Sequence, residues 1–135
     1  MNTSSAGQEK RTSPRVTQDL IKNCDPRQTL DAFLTIGGNS IGTEILDLGG
    51  KGIAVMTKFY IPICTSPALS FSLIYRDERC CSKFQKVRAL CELSNKSIIK
   101  NKGYRIGFQF TEMSSADLSA ISEFIRIASS KNPGS

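Results

Sequence analysis

Between residues 40 and 58 the chain reads SIGTEILDLGGKGIAVMTK, two strand-like runs joined through the six residues DLGGKG. Ile41, Thr43, Ile45 and Leu46 precede the corner and Ile53, Val55 and Thr57 follow it. Such β-branched and aliphatic side chains suit a pleated, half-buried surface, so a sheet must bend sharply here. Gly49, Gly50 and Gly52 can take positive φ and let a second backbone or a flat ligand come close, while Asp47 fixes a carboxylate beside them. A plain strand-linking turn uses the same residue types. The corner is therefore read two ways, as a turn alone or as a seat for a ligand.

The same period of two recurs on both sides of it. Residues 29–36, TLDAFLTI, form a first strand, and Gly37, Gly38 and Asn39 a hairpin turn leading into the strand that ends at Asp47. A third strand covers residues 53–58, and Pro62 and Pro67 bracket a loop. Leu69, Phe71, Leu73 and Tyr75 then alternate with Ser70, Ser72 and Ile74 in a fourth strand. The charged stretch RDERCCSK at 76–83 reads as a hairpin end. Val87, Ala89, Cys91 and Leu93 mark a fifth strand, which 97–99 extend past a turn at Asn95. Tyr104, Ile106, Phe108 and Phe110 alternate strictly with Arg105, Gly107 and Gln109 in a sixth. Six short strands favour an antiparallel barrel, because closure removes exposed edges. A C-terminal helix follows, with Ser114 and Asp117 placed as an N-terminal capping box and Leu118, Ile121, Phe124, Ile125 and Ala128 as its apolar stripe. Residues 16–27 read as a helical turn or loop, broken by Asp25 and Pro26.

Size and charge bound the function. A chain of 135 residues supports one core. Eighteen basic against 12 acidic residues give a net charge of +6, which favours an anionic partner. No histidine is present to serve as a general base, and no phosphate-binding loop or nucleophile elbow occurs, so the chain is expected not to be an enzyme. The missing histidines and the lack of a CxxC pair argue equally against a metal site. Cys24, Cys64, Cys80, Cys81 and Cys91 are odd in number and irregularly spaced, which fits thiols in a reducing compartment. With neither a long apolar run nor a secretory leader, the expected location is the cytoplasm.

The start of the chain turns basic at residues 10–15, KRTSPR, which sets Arg11 and Arg15 four apart with Lys10 beside them. Arginine's planar fork grips phosphate bidentately and stacks on flat rings. RxxxR, then DLGGKG, then the strand YRIGFQF and a terminal helix resemble, in that order, the PilZ family of cyclic di-GMP receptor modules. Asp47 and Gly52 match the family's DxSxxG, with Gly49 standing where the family has serine. The resemblance implies a six-stranded PilZ-like barrel at 29–112, preceded by a basic arm at 1–28 and followed by a capping helix at 113–130 and a tail at 131–135. It also implies a ligand, cyclic di-GMP, held by Lys10, Arg11, Arg15, Asp47, Gly49 and Gly52, with no cofactor, and a protein partner to which binding is relayed. Two other readings stay open: a module of the same shape that has lost the nucleotide and serves as an interaction adaptor, and a basic barrel that binds nucleic acid.

Overall fold

The computed structural model describes residues 14–62, 65–99 and 101–130. Its strands are β1 (Arg15–Thr17), β2 (Asp31–Ile36), β3 (Asn39–Gly49), β4 (Gly52–Thr57), β5 (Ala68–Arg76), β6 (Ser82–Ile99) and β7 (Gly103–Met113), with helices α1 (Gln18–Lys22) and α2 (Ser115–Ser130). All seven strands belong to one antiparallel sheet in the order β1-β3-β2-β5-β6-β7-β4. A further pairing of β3 with β4 brings the two ends together in a ring, leaving β1 as an appendage on β3. The inward faces supply the core: Leu34 of β2, Ile45 and Leu48 of β3, Ile53 and Val55 of β4, Leu69 and Leu73 of β5, and Ile106 of β7 are all buried.

Several elements differ from expectation for identifiable reasons. The seventh strand arises because Val16 is apolar and fully buried, so it pulls Arg15–Thr17 onto β3 rather than leaving them in an arm or loop. Asn95 is not a turn. It sits at a bulge inside an 18-residue β6 and pairs with Gly107, where its side chain occupies the space that a larger residue would need. None of Gly49, Gly50 and Gly52 takes a positive φ; Gly37 and Gly38 do, at 57° and 85°, as a two-residue hairpin turn requires.

Helix α2 covers one side of the sheet through Ala120, Ile121, Phe124, Ile125, Ile127 and Ala128. Leu118 faces outward instead and leaves the apolar stripe, while Ile127 joins it. The capping box is only half formed. Ser114 Oγ accepts the Asp117 N–H at 3.1 Å, but the Asp117 carboxylate turns to β6, accepting Gln85 Nε2 at 2.8 Å and the Arg88 N–H at 3.1 Å. A residue of the helix's first turn thereby fastens it to the sheet. A second tie joins Tyr75 of β5, whose hydroxyl donates to Glu123 at 2.6 Å while its ring meets Phe124 edge-on. Burial, and then this bond to Glu123, push the Tyr75 hydroxyl far above its ordinary pKa.

Candidate functional site

The β3–β4 corner gathers its polar groups on the outer face of the sheet because of one irregularity. Glu44 pairs with Met56 and Ile45 with Val55, yet the next pair is Asp47 with Ala54, so Leu46 is an extra residue on β3. Side chains on a strand alternate between faces, and one inserted residue reverses that alternation beyond it. Without the bulge Asp47 would share the inward face with Ile45. With it, Leu48 enters the core and Asp47 and Gly49 turn outward.

Strand β1 delivers Arg15 to the same face. It pairs with Gly49, its neighbour Val16 points inward against Leu48, and its guanidinium reaches along β3 to Asp47. Arg15 Nε donates to Asp47 Oδ1 at 2.9 Å, Nη2 donates to the same oxygen, and Nη2 also approaches the Gly52 carbonyl at 3.4 Å. The arginine lies flat across Gly49, where a Cβ would come within 2.7 Å of its Nη1. Glycine is needed here for passage rather than for backbone freedom. At Gly52 the reason is a backbone: a Cβ would meet the Phe108 carbonyl oxygen at 2.4 Å.

A second arginine arrives from the far side. Asp47, Ala54 and Gly107 form one row across β3, β4 and β7, and Arg105 stands two residues before Gly107 on the same face. Its Nη2 donates to Asp47 Oδ2 at 3.1 Å over this floor of small residues. Asp47 is thus held between two half-exposed guanidiniums, with each carboxylate oxygen serving one of them. One carboxylate against two cations leaves the cluster with an excess positive charge at a solvent-facing surface, where ion pairs are worth only about 0–1 kcal/mol. Such arginines can change partners at little cost. Beside the corner, a cleft of about 540 Å³ opens between Pro14, Gly50 and Lys51 on one side and Ile125, Arg126 and Ser129 of α2 on the other.

Of the six residues expected in the site, Arg15, Asp47, Gly49 and Gly52 come together here, while Lys10 and Arg11 lie outside the described residues. Arg105 was not among the expected six. Its signal was its outward position in the strictly alternating strand 104–110, on a strand that pairs with the one leaving the corner.

No protein-family model matches the chain. No curated protein matches it either. Solved structures do. The crystal structure of the Borreliella burgdorferi PlzA protein in complex with c-di-GMP superposes with a TM-score of 0.62 at 16% identity, covering 91% of this chain and 44% of that one. The structure of the Bacillus subtilis inhibitor of motility, MotI/DgrA, gives 0.59 at 15% identity over 89% of this chain and 51% of that one. The fold is therefore PilZ-like, and the chain spans about half the length of these two proteins.

Proposed function

We propose that the chain is a non-enzymatic receptor for cyclic di-GMP, with β2–β7 as a six-stranded PilZ-like barrel that carries the ligand on its outer face and relays occupancy to a protein partner. The observation that supports this reading best is the convergence of Arg15 and Arg105 on Asp47 beside Gly49 and Gly52. The ligand offers two phosphates and two guanine bases. Guanidinium forks match the phosphate oxygens and stack on the bases, and the Asp47 carboxylate accepts the N–H groups of a guanine edge. Binding is then an exchange of partners: the arginines leave a shared carboxylate for phosphate, and the carboxylate turns to the base. Lys10 and Arg11 precede Arg15 closely enough in sequence to add charge from the same segment. The fold likeness to PlzA, whose structure contains c-di-GMP, supports the choice of ligand.

Titration calorimetry of the full chain with cyclic di-GMP, against cyclic di-AMP and GTP, tests the reading. Saturable heat with cyclic di-GMP alone is expected. The adaptor reading draws on Gly49, which stands in place of the family's serine and leaves room for Arg15 to settle on Asp47. Absence of any cyclic di-GMP signal would favour it.

A further inference from the structure

At one end of the sheet, two segments place large apolar side chains in solvent among lysines. The strand ends of β4, β7 and β6 are in register there, Thr57 with Tyr104 and Tyr104 with Ile98. The β6–β7 hairpin tip packs directly on the chain leaving β4, since a Cβ on Gly103 would lie 2.3 Å from the Thr57 carbonyl oxygen. Ile98 on this hairpin is 79% exposed, and Tyr60 and Phe59 on the adjoining loop are 61% and 58% exposed.

The loop is held rather than loose. Ile61 is fully buried beneath it, Tyr60 meets Tyr104 edge-on at 5.8 Å, and Lys96 Nζ sits 3.7 Å above the Tyr60 ring while donating to the Ile61 carbonyl at 3.3 Å. Lys58 and Lys102 flank it, and neither residues 57–66 nor residues 95–105 contain an acidic side chain. Asp31 and Glu44 line a hollow of about 290 Å³ on the flank of this end together with Lys58, Phe59 and Lys102, and Glu44 there accepts a hydrogen bond from Gln18.

We propose that this end docks on an anionic phospholipid surface, Ile98, Phe59 and Tyr60 entering the headgroup boundary and Lys58 and Lys102 facing the lipid charge. Exposed apolar groups set among lysines, on two segments that carry no acidic residue, fit insertion between anionic headgroups. Tyrosine with a ring of lysines is the composition that a membrane interface selects. Nucleic acid fits less well. Ile98, the most exposed of these groups, has no ring on which a base stacks, and the Tyr60 face is already taken by Lys96.

The test is sedimentation of the full chain with vesicles of phosphatidylcholine, with and without phosphatidylserine. Binding is expected only with phosphatidylserine and weakens as salt is raised. Lys58→Gln and Lys102→Gln should each lower the partition coefficient about fivefold. Ile98→Ser and Phe59→Ser should lower it by about fivefold or more, with melting temperatures unchanged because both side chains are exposed. The chain contains no tryptophan, so Phe59→Trp is a clean reporter whose emission should shift to the blue on phosphatidylserine vesicles. Three results would overturn the proposal: no vesicle binding, serine variants that bind like the parent, or Phe59→Trp emission that moves with oligothymidylate and not with vesicles. Arg15→Ala should leave vesicle binding intact, which separates this surface from the nucleotide site.

Discussion

Among the described residues, two aspartates are each set between two arginines, and they differ in almost everything but composition. At Asp47 the arginines come from β1 and β7, distant in sequence, and meet the carboxylate on an open face. At Asp25 the main partner is two residues away. Arg27 closes a fork on it, Nε to Oδ1 at 2.9 Å and Nη2 to Oδ2 at 3.0 Å, its backbone N–H adds a third bond at 2.9 Å, and Arg76 Nε stands 3.8 Å off. The arginines of both clusters are about half exposed, so the aspartates carry the contrast: the Asp25 side chain has 0% of its surface in solvent and Asp47 has 20%. A carboxylate shut away from water keeps its partners because losing them strands a buried charge. One that water reaches can trade them. The same three groups thus make a staple in one place and an open, exchangeable cluster in the other.

The sharpest way to break this comparison is at the arginines of the open cluster. Arg15→Ala and Arg105→Ala are each expected to weaken cyclic di-GMP by about tenfold or more, since a charge-assisted hydrogen bond is worth about 1.5–3 kcal/mol. Affinity unchanged in both variants would remove the open cluster from the site. An Arg105→Ala variant that binds normally beside a defective Arg15→Ala would confine the site to the β1 side.

Stability should respond in the opposite sense. Asp25→Ala is expected to lower the melting temperature by about 5 °C or more, because it takes away the group that Arg27 and the loop backbone close around. Asp47→Ala should move it by less than about 3 °C. Equal losses from the two, read by thermal denaturation, would mean that the open cluster is a staple as well.

Acid sharpens the contrast further. The side-chain bond from Arg27, then its backbone N–H, hold the Asp25 carboxyl well below the usual carboxylate range, against the opposing effect of burial. A folded-state value below the unfolded one of about 3.9 gives stability that is fully present above that pH and lost as pH falls below it. The melting-temperature gap between parent and Asp25→Asn should therefore be constant from neutral pH to about pH 5 and narrow below about pH 4. A gap that held steady into strong acid would show that the charge on Asp25 contributes nothing.

The strands and the last helix were legible because their apolar residues repeat at fixed periods, and Arg15, Asp47, Gly49 and Gly52 were singled out by position in motifs that resemble those of the PilZ family. What could not be read was geometry set by other segments. Leu46 is simply one more aliphatic residue until pairing with β4 skips it, and only that skip turns Asp47 outward. Its trace in the sequence is the adjacent pair Ile45 and Leu46, which breaks the period of two. Three residues, Arg15–Thr17, are too few to carry a periodic signal, so β1 was hidden although Val16 is central to the core. Arg105 looked like an ordinary solvent position because nothing local tells an outward arginine that it faces a carboxylate two strands away.

The smallest effect concerns Gly49 and decides how the open cluster works. Its φ is not among the positive ones, so serine carries no backbone strain there. A Cβ would, however, stand 2.7 Å from Arg15 Nη1, 3.1 Å from Cγ and 3.2 Å from Cζ, so the arginine has to swing away. Arg15 is long and half exposed, and the pair it leaves is worth at most about 1 kcal/mol, so Gly49→Ser should lower the melting temperature by no more than about 4 °C. If Asp47 and the ligand's phosphate compete for Arg15, releasing the arginine removes part of the cost of exchange, and the serine hydroxyl adds a hydrogen bond worth about 0.5–1.5 kcal/mol. Calorimetry should then find cyclic di-GMP bound about threefold more tightly by Gly49→Ser than by the parent. Weaker binding at the same stability would reverse the roles: Asp47 would be aiming Arg15 at the ligand, and the glycine would be what lets it take aim.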